Sequence, residues 1–238
     1  DPDWSPSVTR PSPGVERSRR LSLPSAPTSP SRGIRRQSPS GIAHQTDSVK
    51  GISLPSRKAL DHGTIIHELF SLVDWLDQGR PGRDQLEKRL DQASILIRRS
   101  IPTAEREELI KRFDSMLDME QITDRLSRSA YADRPGTPEV LREHTIIARG
   151  IESITYGRFD RMVVGRDGCS VLWVDLLDYK TDHVGDQGID SIIERYRPQL
   201  QAYADSIMKL HDIPFECITA RLLLLGRGED VRVDLHGS

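Results

Sequence analysis

The stretch SVLWVDLLDYKT, residues 170–181, decides the fold, because its apolar run is typical of a strand in the core of a sheet. Side chains alternate across a strand, so Asp178 and Lys180 are expected to point the same way. The predicted faces are Leu172, Val174, Leu176, Asp178 and Lys180 on one side, and Trp173, Asp175, Leu177 and Tyr179 on the other. A carboxylate and an ammonium beside an apolar sheet should be paired, exposed at the strand end, or coordinating something else. The strand alone leaves a plain surface ion pair open.

Strand-like and helical segments flank this stretch on both sides. The other strand-like segments are 140–150, 153–165, 216–226 and 229–235, with GRDG and GRGE as turn sequences. The helical segments are 58–76, 82–97, 103–117, 119–129 and YRPQLQAYADSIMKLHDI at 196–213. Asp61 is the candidate N-cap of the first helix, and Pro198 suits the first turn of the last one. This order predicts an α/β or α+β sandwich.

Composition divides the 238 residues into a tail and one domain. Residues 1–57 contain nine Pro and 13 Ser and carry nine Lys or Arg against four acids, which predicts a disordered basic tail or linker. A solvated tether and a nucleic-acid-binding arm are both open for it. Residues 58–238 form the predicted domain, with a helical lobe at 58–130 and a sheet core at 139–238. Since the whole chain has a net charge of -2, this domain carries about -7.

The remaining totals exclude several classes of protein. Two cysteines without a CxxC pair support neither a disulfide framework nor a metal cluster held by cysteine, so a cytoplasmic protein is expected. No apolar run approaches the about 20 residues of a membrane span, so no membrane partner is expected. The chain begins with Asp1 rather than Met, which suggests a piece of a longer protein.

Asp160 adds a second carboxylate on the preceding strand. Two acids and a lysine on neighbouring strands are a minimal set for holding a divalent metal beside a phosphate. Directly opposite residues of a hairpin have a constant sum of residue numbers, and a tight turn at Asp167-Gly168 would place Asp160 and Asp178 about three residues, roughly 10 Å, apart. A shared metal therefore requires a bulge, a bend or a longer loop, and we expect one.

His67 comes from a distant helix. Gly63 lies four residues before it, so a position without a side chain is expected one turn away on the same helix face. That spacing leaves room for a ligand or a strand to approach His67. A structural or surface histidine is the simpler alternative.

Taken in order, these motifs resemble a known family. GTIIH at 63–67, RE at 142–143, GRFDRM at 157–162, LLDYKT at 176–181 and YRPQLQAY at 196–203 are similar to the successive motifs of RecB-like PD-(D/E)XK nucleases. The resemblance is greatest to the nuclease domain that ends AddA-type helicase–nuclease subunits, and it covers about residues 58–226. It implies a central mixed β-sheet flanked by helices, in the restriction-endonuclease-like arrangement.

The resemblance also implies a role for each matching residue. His67, Asp160, Asp178 and the carbonyl of Tyr179 would bind Mg²⁺ or Mn²⁺, and imidazole favours Mn²⁺ of the two. Lys180 would polarise the attacking water and stabilise charge on the phosphate. Gln199, Tyr203 and Glu143 would complete the catalytic group.

The implied activity is metal-dependent hydrolysis of DNA, as the exonuclease part of a helicase–nuclease in double-strand-break repair and recombination. The chain has no G-x4-G-K-[ST] motif, so a helicase motor is expected in the same longer polypeptide, with a second helicase–nuclease subunit as a further partner. One alternative is a catalytically inactive, nuclease-like module that binds DNA or a partner. Another treats residues 58–130 as an independent helical interaction module.

Overall fold

The strand that carries Asp178 and Lys180 lies inside a mixed β-sheet in the computed structural model, which describes residues 35–37, 56–149, 153–181 and 188–235. All of these residues belong to one compact unit, Ile34–Ser238. The strands are β1 (Arg35–Gln37), β2 (Thr137–Arg149), β3 (Ser153–Asp167), β4 (Ser170–Lys180), β5 (Ile218–Leu224) and β6 (Glu229–Val233). Their order is β2-β3-β4-β5-β6, and β1 pairs with the start of β3. The β1–β3 and β4–β5 pairs are parallel and the others are antiparallel.

Helices cover both faces of the sheet. They are α1 (Arg57–Phe70), α2 (Arg83–Leu96), α3 (Thr103–Leu117), α4 (Glu120–Leu126) and α5 (Ile189–His211). Short 3₁₀ helices lie at Leu76–Gln78, Arg128–Tyr131 and Phe215–Cys217. Helices α1 to α4 and the 3₁₀ helix Arg128–Tyr131, here called the helical lobe, pack on one face, and α5 packs on the other. The predicted α/β class is confirmed, with a mixed sheet and flanking helices.

Alternation along β4 builds two separate apolar cores. The core beneath the helical lobe includes Ile65, Leu69, Phe70, Leu90, Phe113, Leu177 and Tyr179. The core beneath α5 includes Met162, Val174, Leu176, Leu200, Tyr203, Ile207 and Leu222. The predicted faces are therefore confirmed from Trp173 onward, whereas Leu172 packs with the lobe and not with Val174.

A bulge in the β3–β4 hairpin explains the exception. Pairing shifts between Gly165 and Arg166: Gly165 lies opposite Trp173 and Arg166 opposite Val171, so Leu172 is the extra residue. The chain turns at Gly168-Cys169, between Asp167 and Ser170. Beyond the bulge the pairs Val164↔Val174 and Arg161↔Leu177 both sum to 338, which is the register that puts Asp160 opposite Asp178. The expected bulge is confirmed.

Glycine is required at the bulge because Trp173 lies directly against it. A Cβ on Gly165 would be 2.1 Å from a ring carbon of Trp173. The ring is held there by stacking on Tyr131, with centroids 5.5 Å apart, and by donating its Nε1–H to the Pro135 carbonyl at 2.8 Å. The bulge and the helical lobe are thereby packed as one unit.

Three details of the elements differ from the sequence predictions. Ser56 and not Asp61 caps α1, because the Ser56 hydroxyl accepts from the Ala59 N–H, while Asp61 lies inside the helix and pairs with Arg99. Helix α5 begins at Ile189, so Pro198 lies within the helix and not in its first turn. Residues Arg35–Gln37, inside the predicted tail, form β1, and most of the rest of that tail lies outside the described residues.

None of the helices in the described ranges is both long enough and apolar enough to cross a membrane.

Candidate functional site

The candidate site lies where β3 and β4 stop pairing. Arg161↔Leu177 is the last pair of their ladder, and Asp160 and Asp178 are the next residues on each strand. Instead of a backbone bond, the Asp160 carboxylate fills the opening and accepts the Tyr179 N–H at Oδ2, at 2.7 Å. The C=O of an extended residue points to the same side as its N–H, so the Tyr179 carbonyl faces the same opening.

His67 reaches Asp160 from the helical lobe. Its Nδ1 lies 2.9 Å from Asp160 Oδ1, which makes Nδ1 the donor and leaves Nε2 as the ring atom that could bind a cation. The position of Gly63 permits this approach: a Cβ there would be 3.1 Å from Thr181 Oγ1, just past the end of β4. The expected space beside His67 is thus used by the end of a strand.

Asp178 and Lys180 face α5. The Lys180 ammonium forms an ion pair with Asp178 Oδ2 and lies 4.0 Å from the ring centroid of Tyr196. The Gln199 amide donates to Asp178 Oδ1 at 3.3 Å. Asp178 is only 4% exposed, so this is a buried pair and not the surface ion pair left open by the sequence.

Burial and mutual charge set the protonation of these groups. Burial raises the pKa of Asp178, and the charge of Asp160 raises it further against the opposing effect of Lys180. For Asp160, burial is outweighed by the charge and hydrogen bond of His67, and its pKa is lowered. Burial lowers the pKa of His67, but the charge and hydrogen bond of Asp160 together outweigh it and raise the pKa overall. Burial also lowers the pKa of Lys180, but the charges of Asp178, Tyr196 and Asp160 with the Asp178 hydrogen bond together raise it, so Lys180 is an ammonium.

Glu143 has a strained backbone beside this group. Its φ is 49°, in the left-handed region, inside a strand and at a point where the β2–β3 ladder lacks the pair with Asp160. The side chain pairs with Arg158. Burial, together with the charge of Asp160, raises the pKa of Glu143 to about 7.

Glu143 should make the stability of the metal-free protein depend on pH. Its folded-state pKa of about 7 exceeds the ordinary value of about 4.3. The folded protein therefore binds more protons than the unfolded chain between these values, and the free energy of unfolding falls as pH rises through that window. The raised pKa of His67 acts in the same direction near neutral pH.

Glu143→Gln is expected to remove the Glu143 share, up to about 3 kcal/mol, and to flatten the profile. Urea unfolding of both proteins at about pH 5 and about pH 8, in EDTA, measures this. If the variant had the same pH dependence as the parent protein, burial would not raise the pKa of the Glu143 carboxyl in the folded state.

The structure brings the predicted site residues into one group. The contacts above link His67, Asp160, Asp178, Tyr179, Lys180 and Gln199, and Glu143 lies beside them, where it pairs with Arg158 and is affected by the Asp160 charge. Tyr203 joins the group through a side-chain hydrogen bond with Gln199, while its hydroxyl donates to the Arg158 carbonyl at 2.7 Å and its ring packs on Phe159. Sequence reasoning missed Glu68, Arg158 and Tyr196, although Arg158 lies in the GRFDRM motif and Tyr196 is the first residue of the late motif.

The carboxylate, carbonyl and imidazole donors of the site are chemically suited to a divalent cation. Asp178 Oδ2 pairs with the Lys180 ammonium and has no further partner among the described residues, so a buried carboxylate oxygen keeps acceptor capacity for a cation. Among the described residues, however, no three His, Cys, Asp or Glu side chains form a ready-made metal site. The reason is visible in the contacts: both Asp160 oxygens already accept hydrogen bonds, and Asp178 faces Lys180. Binding a cation would require small side-chain rotations.

No protein-family model matches this chain, and a search of curated proteins found no match either. What the site does is therefore inferred from its own residues.

Proposed function

We propose that this protein is a metal-dependent DNA nuclease with a RecB-like PD-(D/E)XK catalytic domain. The observation that supports the proposal most is the register of β3 and β4, which brings Asp160 beside Asp178 and leaves Lys180 two residues further on the same strand. Sequence order alone does not require this, because a simple turn would separate the carboxylates. His67 from the lobe and Gln199 from α5 then join them from opposite faces.

The residues divide the chemistry of phosphodiester hydrolysis between them. His67 Nε2, the two carboxylates and the Tyr179 carbonyl would hold Mg²⁺ or Mn²⁺, which supplies a hydroxide near neutral pH and a positive charge for the developing oxyanion. Lys180 carries a fixed positive charge that would stabilise the phosphate as it gains negative charge. Gln199 holds the Asp178 carboxylate in position, and Asp160 holds the His67 ring.

The proposal extends to the biological setting only through the resemblance. The exonuclease part of an AddA-type helicase–nuclease in DNA repair, with a helicase motor in the same polypeptide, is the setting that the ordered motifs favour. A catalytically inactive DNA- or partner-binding module is the alternative. The four polar groups of the proposed active site are all present, namely His67, Asp160, Asp178 and Lys180. Their presence favours the enzyme over the inactive module.

Cleavage of linear DNA tests the proposal directly. Purified protein with Mg²⁺ or Mn²⁺ is expected to degrade end-labelled linear duplex or single-stranded DNA, and EDTA is expected to stop it. Gel analysis over time distinguishes stepwise shortening from internal cuts. Absence of cleavage with either metal and either substrate would favour the inactive module.

A further inference from the structure

Arg158 is the most exposed charged side chain in contact with the candidate site. It lies on β3 two residues before Asp160, and its side chain is 51% exposed. Its neighbour Phe159 is almost completely buried. The guanidinium therefore lies at the mouth of the opening between β3 and β4, where it faces solvent. The other charged side chains around this opening are mostly buried in the protein.

Two carboxylates from different elements hold this guanidinium. Glu143 on β2 pairs with its Nε, and Glu68 on α1 lies 3.5 Å from its Nη2. The side chains of Glu143 and Glu68 are only 17% and 9% exposed. Anionic oxygens from two directions around one guanidinium resemble the arrangement by which arginine binds a phosphate.

The backbone of Arg158 is fixed independently of these acids. Its carbonyl accepts the Tyr203 hydroxyl of α5 at 2.7 Å. The side chain can therefore exchange partners without moving the strand. The guanidinium is half exposed, and Glu68 keeps a second partner, Arg89 Nη1 at 3.0 Å, when Arg158 leaves it, so a phosphate can compete for Arg158.

Charge balance gives a reason for such an exchange. Four carboxylates, those of Glu68, Glu143, Asp160 and Asp178, surround the opening, and the chain has a net charge of -2. A nucleic-acid strand approaching it needs a cation to offset this repulsion. Lys180 is only 15% exposed and is engaged with Asp178, so it is not available at the mouth.

We propose that Arg158 binds a backbone phosphate of the DNA strand entering the site, and that Glu68 and Glu143 occupy its guanidinium as internal phosphate mimics until DNA displaces them. This deepens the proposed function by naming a substrate-binding residue. Arg158 positions the strand and is not in contact with the reacting atoms.

DNA binding in EDTA, where no cleavage can occur, tests the proposal. Fluorescence anisotropy with a short labelled oligothymidylate at several salt concentrations gives Kd and its salt dependence. Arg158→Gln is expected to weaken binding about tenfold and to reduce the slope of log K against log salt by about 0.7, the loss of one phosphate contact. Arg158→Lys should recover part of the affinity. The matched control is Arg166→Gln, which removes an arginine paired with Glu139 at the far end of the same strand and should change Kd less than twofold.

Glu143→Gln distinguishes an Arg158 that binds DNA from an Arg158 that only stabilises the fold. It is expected to tighten binding several-fold because it releases Arg158, and this gain should largely disappear in the Arg158→Gln background. An oligomer with neutral methylphosphonate linkages should not distinguish Arg158→Gln from the parent protein.

Three results would overturn the proposal: no binding by the parent protein, equal affinities of Arg158→Gln and Arg166→Gln, or an Arg158 effect that persists on the neutral backbone. The outcome is separate from that of the nuclease assay. DNA cleavage with no Arg158 effect would contradict only this inference, and an Arg158 effect without cleavage would contradict only the nuclease.

Discussion

Lys180→Met is expected to reduce DNA cleavage by about a thousandfold or more while leaving the fold intact. The ammonium is held by Asp178 and the Tyr196 ring, and the Asp178 charge keeps its pKa raised. Removing one preorganised group that stabilises transition-state charge typically costs about 100- to 1,000-fold, and the additional loss of water activation increases this. Methionine preserves most of the side-chain volume in the apolar surroundings.

Metal binding by Lys180→Met shows whether the variant has lost only catalysis or also the structure of the site. Without the neighbouring ammonium, Mn²⁺ should bind at least as tightly as in the parent protein, because a positive charge beside the ligands has been removed. The matched control is Lys209→Met, an exposed lysine ten residues beyond Gln199 on α5, which should keep full activity. Cleavage by Lys180→Met within about tenfold of the parent rate would exclude Lys180 from catalysis.

Asp175→Leu is expected to lower the free energy of unfolding by about 3–5 kcal/mol. Asp175 is 1% exposed and accepts hydrogen bonds from Tyr131 at 3.0 Å and from Thr219 at 2.5 Å. It also pairs with Arg125 and Arg221 at 3.5 and 3.4 Å. Leucine would leave two hydroxyls and two guanidinium groups in a buried region without this acceptor.

The same substitution tests whether the helical lobe is part of the domain. Tyr131 and Arg125 belong to the lobe, whereas Asp175 belongs to β4, so the loss should weaken both parts in one unfolding transition. Urea unfolding measures this, with Asp167→Leu at the exposed hairpin turn as a control that should change stability by less than about 0.5 kcal/mol. A lobe that unfolds separately, or a loss below about 1 kcal/mol, would support the independent helical module instead.

The strand alternation of residues 170–181 made the two faces of β4 predictable. Apolar periodicity likewise located the helices of the lobe, since each buries one face. The need for a bulge between Asp160 and Asp178 followed from counting residues, but its position did not. It depends on the Trp173 ring packing against the backbone of Gly165, a contact that the sequence does not reveal.

Other features depend on contacts between distant segments. Asp61 is an ordinary N-cap residue by type, yet Arg99 binds it from another part of the lobe, and Ser56 caps the helix instead. The roles of Glu68 and Arg158 could not be predicted from the motifs, because each gains its partners only when α1, β2 and β3 come together. The sequence also does not predict the left-handed backbone at Glu143, because glutamate seldom adopts this conformation.

Calorimetric titration with Mn²⁺ tests the central claim most directly, namely that Asp160, Asp178 and His67 hold one divalent cation. The parent protein is expected to bind one Mn²⁺ per chain, and Asp178→Asn should weaken this binding at least about tenfold because a charged ligand is lost. Asp167→Asn, which changes an exposed carboxylate outside the site, should bind as the parent does. No binding by the parent protein, or equal affinities of the parent and Asp178→Asn, would contradict the account.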